Sequence, residues 1–147
     1  MRRILTLVIA VAAVTSLPTT LAGASASRAK LKLRKTSVGT ILVNSRGFTL
    51  YAFTKDARNK DACQNIAGCL GAWPAVTTSG KAIAGPGVRS GLIGTITLKS
   101  GAKQATYAGH PLYTYIADPG PGSTFYVNIF QFRGRWPAVN AAGGEVK

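Results

Sequence analysis

The feature that most constrains this chain is an internal duplication. Three short segments recur in the same order: Gly39-Thr40-Ile41 with Gly94-Thr95-Ile96, Leu50-Tyr51-Ala52-Phe53-Thr54-Lys55-Asp56 with Leu112-Tyr113-Thr114-Tyr115-Ile116-Ala117-Asp118, and Trp73-Pro74-Ala75-Val76 with Trp136-Pro137-Ala138-Val139. The aspartate precedes the tryptophan by 17 residues in the first copy and by 18 in the second. Such self-similarity indicates repeated supersecondary units. We therefore predict repeats over about 38–76 and 93–139 that pack as one pseudo-symmetric domain, 38–147.

Short apolar segments between turn residues predict an all-β fold. The predicted strands are 38–44, 48–54, 93–98, 103–107, 111–116, 126–132 and 135–139. The Gly-, Ser- and Thr-rich stretch 77–91 predicts a connecting loop. Only 61–70, around the two cysteines, is compatible with a short helix. The predicted architecture is therefore two tandem, pseudo-equivalent β-hairpin or meander repeats.

Residues 1–26 have the three parts of a secretory signal peptide. Arg2 and Arg3 precede an uncharged apolar run at 4–17, and Ala24-Ser25-Ala26 fits the cleavage pattern. The run is shorter than the roughly 18 apolar residues that a membrane span needs, and residues 24–30 contain no cysteine for lipidation. We predict cleavage after Ala26 and a soluble bacterial protein that is extracellular or associated with the cell wall, without a transmembrane span.

The chain is strongly basic, with 18 Lys and Arg against four Asp and Glu and a formal net charge of +14. A positive field of this kind attracts polyanions such as wall polymers, anionic lipid headgroups and acidic glycans. Nucleic acid would bind only non-specifically, because no nucleic-acid motif is present. Charge that merely maintains solubility is the alternative. The basic stretch 27–37 predicts either an edge strand or a flexible arm, with polyanion contacts from Lys30, Lys32, Arg34 and Lys35.

Cys63 and Cys69 are the only two cysteines. In an oxidising compartment such a pair predicts a disulfide. Five residues separate them, which argues against a C-x-x-C redox motif, and no second pair exists to complete a structural zinc site. The disulfide is expected to constrain a loop.

The chain resembles a known family on these residues. The matching segments are 47–56, the stretch from Cys63 to Trp73-Pro74, 107–113 and the tail 132–143. They resemble the bacterial secreted repeat of unknown function, predicted lipoproteins that carry a Tyr-x-(Phe/Trp/Tyr)-x-x-Asp motif. The resemblance implies an exported, repeat-containing β protein without an assigned activity. This chain differs from the lipoprotein members because it has no cysteine to lipidate.

Alternation along a strand gives each motif an aromatic face and an aliphatic face. Tyr51 and Phe53 share the aromatic face of the first copy, and Tyr113 and Tyr115 share that of the second. Two interpretations remain open. The aromatic side chains are either core residues whose hydroxyls reach partners at the edge, or an exposed pair that stacks on sugar rings or an aromatic ligand.

The remaining candidate site residues are two aspartates and one histidine. Asp56 and Asp118 follow the motif strands, where an aspartate commonly organises a turn; the alternative is that pseudo-symmetry brings them together as a hydrolytic pair. His110 is the only histidine and lies between Gly109 and Pro111, a turn position that predicts a structural role. A ligand role for His110 is the alternative.

No catalytic constellation, metal site or complete cofactor site can be identified, so we do not expect an enzyme. The leading hypothesis is a secreted, non-catalytic module that associates with an anionic cell-envelope or extracellular polymer. The second is an extracellular metal-, haem- or redox-linked binding protein that uses His110 and the tyrosine cluster. The third is a carboxylate-pair hydrolase, which requires the two aspartates to lie within about 10 Å of each other.

Overall fold

The computed structural model describes residues 27–147, so the predicted signal peptide lies outside the described residues. Ten short strands dominate this region. They are β1 (Lys30–Thr36), β2 (Gly39–Val43), β3 (Ile83–Ala84), β4 (Ile93–Thr97), β5 (Lys103–Tyr107), β6 (His110–Pro111), β7 (Ile129–Gln131), β8 (Gly134–Trp136), β9 (Ala138–Val139) and β10 (Glu145–Val146). One short helix, α1 (Cys69–Ala72), and two single 3₁₀ turns, Cys63–Asn65 and Ser90–Leu92, complete the secondary structure. The predicted β-rich class with a short helix near the cysteines is confirmed.

Each repeat begins with an antiparallel hairpin. β1 pairs with β2 from Lys32 opposite Val43 to Thr36 opposite Gly39, and β4 pairs with β5 from Ile93 opposite Tyr107 to Thr97 opposite Lys103. The first hairpin is extended by β3, which runs parallel to the start of β1. The second is extended by β6. The basic stretch at the N-terminus is thus the first strand of a hairpin. β1 lies between β2 and β3 in its sheet, so the prediction of an edge strand or a flexible arm was wrong, and the first repeat starts with β1 and not at residue 38.

Four extended segments, one motif and one Trp-Pro segment from each repeat, pair side by side at the centre of the molecule; we call them the central layer. At its middle, Tyr51 and Tyr113 exchange backbone hydrogen bonds of 2.9 and 3.0 Å. On the outer sides the Ala52 N–H donates to Pro137 O at 2.9 Å, and the Thr114 N–H donates to Pro74 O at 3.0 Å. Each motif therefore pairs with the Trp-Pro segment of the other repeat.

The central layer is buried on both faces. Leu50, Ala52 and Leu112 pack into one hydrophobic cluster, whereas Tyr51 and Tyr113 pack into an aromatic cluster on the opposite face. This is the alternation that the motif predicts. Both faces are covered by hydrophobic clusters because the hairpins supply aliphatic side chains on one side and the tryptophan segments supply aromatic ones on the other. The interpretation of the motif aromatics as core residues agrees with this packing.

The first of the three predicted sequence matches does not correspond to structural equivalence. Gly39-Thr40-Ile41 lies in the second strand of its hairpin, but Gly94-Thr95-Ile96 lies in the first strand. The pairings show which strands are equivalent: Ile41 of β2 pairs with Asn140, and Gln104 of β5 pairs with Thr77. In both cases the second hairpin strand contacts the end of the other repeat. β2 is therefore equivalent to β5. The predicted match of Gly39-Thr40-Ile41 with Gly94-Thr95-Ile96 was wrong, because β-branched residues are common in all strands and a three-residue match can recur in strands that are not equivalent.

The motif segments form fewer regular ladder pairs than predicted. Tyr51 and Tyr113 take part in isolated bridges to each other and to Ala138 and Ala75, because the Trp-Pro segments are short and a proline has no N–H to donate to a ladder. The predicted loop 77–91 contains the short strand β3. Across residues 27–147, no helix has the length and apolar character needed to cross a membrane.

Candidate functional site

The two motifs exchange their polar contacts. The Tyr51 hydroxyl donates to Asp118 at 3.0 Å, and the Tyr113 hydroxyl donates to Asp56 at 2.8 Å. The tyrosine of each repeat thus binds the aspartate of the other. Both tyrosine side chains are fully buried, and burial followed by the neighbouring carboxylate raises the pKa of each well above its ordinary value. The hydroxyls therefore remain protonated donors at physiological pH.

Four aromatic rings, again taken from both repeats, form one continuous stack. Trp73 and Trp136 are parallel at its centre, with centroids 3.9 Å apart and planes inclined by 4°. Phe53 stacks on Trp136 at 4.1 Å, and Tyr115 stacks on Trp73 at 4.0 Å. The two tryptophans share one buried site in the aromatic cluster. Each such aromatic pair contributes about 0.5–1.5 kcal/mol beyond simple burial.

Asp56 fixes the start of the segment that connects motif and tryptophan in the first repeat, residues 57–72, which we call insert 1. Its Oδ1 accepts the Ala62 N–H at 2.7 Å, while its Oδ2 accepts the Tyr113 hydroxyl. Burial raises the pKa of Asp56 to about 7, although the two hydrogen bonds favour the charged carboxylate. Both oxygens are therefore engaged within the protein, as expected for an aspartate that organises a turn.

Asp118 occupies the equivalent place before insert 2, residues 119–135. Burial raises its pKa, while the hydrogen bond from Tyr51 opposes the shift. Asp118 lines a cavity with Arg46, Phe48 and Tyr115, whereas Asp56 lines a different cavity beside His110. The pseudo-symmetry directs the two carboxylates to opposite tyrosines and to separate cavities.

His110 is half-buried at the start of β6 and shares a small cavity with Asp56 and Arg58. The Arg58 guanidinium covers Gly109 and donates to Ala108 O at 3.1 Å. The cavity measures about 150 Å³, less than the roughly 300–1,000 Å³ typical of small-molecule sites. Within residues 27–147, no three His, Cys, Asp or Glu side chains lie together as a metal-binding group.

Insert 1 is held by the disulfide. Cys63 and Cys69 are bonded, with Cα atoms 5.3 Å apart, which confirms the predicted pairing. Both cysteines are buried against the aromatic cluster. A ring of this size stabilises the fold by about 2 kcal/mol in the chain-entropy treatment. The disulfide therefore anchors insert 1 to the tryptophan stack.

A third cavity lies between the two inserts and was not predicted. Its lining comes from Lys55, from Ala62, Asn65, Ile66 and Ala67 of insert 1, and from Phe132 and Arg133 of insert 2; its volume is about 640 Å³. The sequence does contain a signal for it. Phe132 and Arg133 occupy a two-residue hairpin turn between β7 and β8, where glycine and asparagine are the usual residues.

The basic residues predicted for polyanion contact lie along β1. Lys30, Arg34 and Lys35 are exposed and Lys32 is partly buried. Arg34 lies across insert 2, so close that a Cβ on Gly122 would come within 2.6 Å of its Nε. Lys30, Lys32 and Arg34 share one face of the strand because alternate residues project to the same side.

A family model described as a secreted repeat of unknown function matches residues 32–77 and again 94–140. The two matches cover more than half of the chain and coincide with the two hairpin-plus-motif units. Neither the curated proteins nor the solved structures contain a match to this chain. Because the family model matches both repeats, the chain belongs to the family of secreted repeats of unknown function.

Proposed function

We propose that this secreted protein is a non-catalytic module that associates with an anionic polymer of the cell envelope or extracellular matrix. The proposal rests on one observation: few of the basic side chains among residues 27–147 have a carboxylate partner within the protein. The chain has 18 basic residues, of which Arg2 and Arg3 lie in the predicted signal peptide, and four acidic residues. All four acidic residues lie within the described part of the chain, so the contacts of each can be followed.

Three of the four acidic side chains are engaged in hydrogen bonds inside the fold. Asp56 and Asp118 bind the buried tyrosines, and Asp61, which is buried, accepts the Gln64 N–H at 2.8 Å. Glu145 makes the single ion pair found among residues 27–147, with Lys147 at 4.0 Å. The other basic side chains in this region therefore present their charge to solvent without a carboxylate partner.

The face of β1 offers the most regular array of that charge. Lys30, Lys32 and Arg34 recur at every second residue, which places their attachment points about 6.6 Å apart along the strand. Leu31, between them, is fully buried and fixes the strand on the core. A row of cations on a fixed strand is suited to a linear polymer with repeated negative charges.

The test is binding to poly(glycerol phosphate), with neutral dextran as the reference polymer. We expect binding to the phosphate polymer that weakens steeply between about 50 and about 500 mM salt. Lys30→Gln/Lys32→Gln/Arg34→Gln should lower the affinity by roughly tenfold through lost ionic contacts. Isothermal titration calorimetry at each salt concentration measures both effects.

The matched control is Lys60→Gln/Lys99→Gln/Lys103→Gln, which removes the same net charge from exposed positions away from β1. Equal losses for the two triple variants would show that general charge, and not the β1 face, governs binding. Binding that does not change with salt, or equal binding to dextran, would contradict the proposal itself.

A further inference from the structure

We propose that the cavity between insert 1 and insert 2 is a binding site for a small amphipathic anion, an apolar body that carries one carboxylate. The site is separate from the β1 face and does not depend on polymer binding. Its volume of about 640 Å³ lies within the roughly 300–1,000 Å³ of typical small-molecule sites.

The apolar part of the site comes from both repeats. Insert 1 contributes Ala62, Ile66 and Ala67, and insert 2 contributes the ring of Phe132. Ile66 and Phe132 also pack against the aromatic cluster, so the cavity wall continues the tryptophan stack. An aliphatic chain or an aromatic ring fits this lining, with Phe132 available for stacking.

The charged part of the site consists of Lys55 and Arg133. Both line the cavity, and within residues 27–147 neither has a carboxylate within 4.0 Å. Two unpaired cations at the wall of an apolar cavity favour a ligand that is negatively charged at one end. Charge-assisted hydrogen bonds to a carboxylate are about twice as strong as neutral ones.

The walls are fixed before any ligand binds. The disulfide closes insert 1, and the Asp56 carboxylate holds the Ala62 N–H at 2.7 Å. On the other side, Gly134 lies against Phe53 so closely that a Cβ would come within 2.5 Å of the ring. The Thr54 N–H also donates to Arg135 O at 3.0 Å. A preformed site lowers the entropic cost of binding.

The hairpin turn that presents Phe132 and Arg133 is conformationally costly. Their φ angles are +55° and +63°, and each left-handed non-glycine residue costs on the order of 1 kcal/mol. An Asn-Gly pair would form the same turn without that cost. The strained pair places an aromatic ring and a guanidinium at the rim of the cavity, which is what the proposed ligand requires.

The test uses two carboxylate probes and their uncharged amides, 2-naphthoate with 2-naphthamide and decanoate with decanamide. Binding is followed by backbone amide NMR on the purified protein. We expect saturable shifts at Ala62, Ile66, Ala67 and Gly134 with at least one carboxylate, and roughly tenfold weaker binding of its amide. The probe that binds more tightly distinguishes an aromatic from an aliphatic ligand.

Lys55→Gln/Arg133→Gln should lower carboxylate affinity by roughly tenfold and leave amide affinity unchanged. The matched control, Lys60→Gln/Arg89→Gln, removes the same charge outside the cavity lining and should bind like the wild type. Ala67→Trp, at an exposed position, should block both probes by filling the cavity. Near-UV circular dichroism checks that each variant is folded.

Several results would overturn the proposal. These are no saturable shift with either carboxylate, shifts that map away from the cavity, or equal affinities for a carboxylate and its amide. Equal losses in the two double variants would do the same, because they would attribute binding to net charge alone.

Discussion

The two repeats use the same core residues but connect them through different inserts. In both, a buried tyrosine reaches the aspartate of the other copy and a tryptophan enters the shared stack. Insert 1 is closed by a disulfide and a short helix. Insert 2 has no cysteine and instead forms the β7–β8 hairpin. The repeats are thus alike where they pack together and different where they reach the surface.

This difference separates stability from binding within one small domain. The exchanged contacts leave little freedom to vary the motif, because each residue has its partner in the other copy. The inserts are anchored by the disulfide, by Ile66 and Phe132 against the aromatic cluster and by a few hydrogen bonds, but their sequences differ between the two copies. Sites on loops that a rigid scaffold positions are a common arrangement in proteins, and the cavity between the inserts follows it.

The largest effect should come from the tryptophan stack. Trp73→Ala and Trp136→Ala should each lower the free energy of unfolding by about 3–5 kcal/mol, the usual cost of truncating a buried large aromatic residue. The double variant should lose less than the sum, because each ring is the other's stacking partner. Urea denaturation of the two single variants and the double variant provides the measurement. Strictly additive losses would argue against the stack as one unit.

The exchanged hydrogen bonds should give a smaller and nearly symmetric effect. Tyr51→Phe and Tyr113→Phe each remove a hydroxyl donor from a carboxylate that is at least partly buried, which should lower the free energy of unfolding by about 1–3 kcal/mol. Tyr107→Phe is the control, because its hydroxyl binds backbone groups outside the central layer. A loss confined to one of the two motif tyrosines would break the symmetry between the repeats.

The pH dependence of stability should report on the buried carboxyl group of Asp56. Burial raises the pKa of Asp56 in the folded state to about 7, above its ordinary value of 3.8. The stabilisation from this group is therefore full below about pH 4 and is lost as the pH rises through 7. Asp56→Asn should abolish this part of the pH dependence, as measured by urea midpoints between about pH 4 and about pH 8. An unchanged pH profile in the variant would contradict the assignment.

The smallest effect should be a gain in stability at the hairpin of insert 2. Arg133→Gly relieves an exposed left-handed non-glycine residue and should raise the free energy of unfolding by about 1 kcal/mol. Insert 1 already has glycine at one such position, Gly68, with φ of +75°. The same variant should bind the carboxylate more weakly, because it lacks one of the two cations that line the cavity. Thermal unfolding and the naphthoate titration measure the two results on one sample. A loss of stability would contradict the claim that the left-handed conformation of the turn costs free energy.

Much of the fold follows from the sequence, because its main signals are local. The pairing of Cys63 with Cys69 and the alternation of faces at Tyr51 depend on spacing within one short segment. The duplication can be recognised by comparing two such segments. The exchange between repeats could not be predicted in this way. The two motifs share the same Tyr and Asp positions, so no local signal indicates whether Tyr51 binds Asp56 or Asp118, and only the packing of the central layer decides.

The candidate site shows the same limit. Asp56 and Tyr113 were identified from the motif and His110 as the only histidine. In the structure Asp56 accepts a hydrogen bond from Tyr113 and shares a cavity with His110. Lys55 and Arg133 are far apart in sequence and line one cavity only because the end of the first motif lies beside the hairpin of insert 2. Their one local signal was a Phe-Arg turn where Asn-Gly is expected.

The most direct test of the exchanged architecture is to express the two repeats, residues 27–92 and 93–147, as separate fragments and to mix them. Each fragment lacks the partner of its own tyrosine, aspartate and tryptophan. We predict collapsed, poorly dispersed amide NMR spectra for each fragment alone and a dispersed spectrum of a 1:1 complex after mixing. A dispersed, folded spectrum for either fragment alone would show that a repeat satisfies its own contacts, and would contradict the exchange on which this account is built.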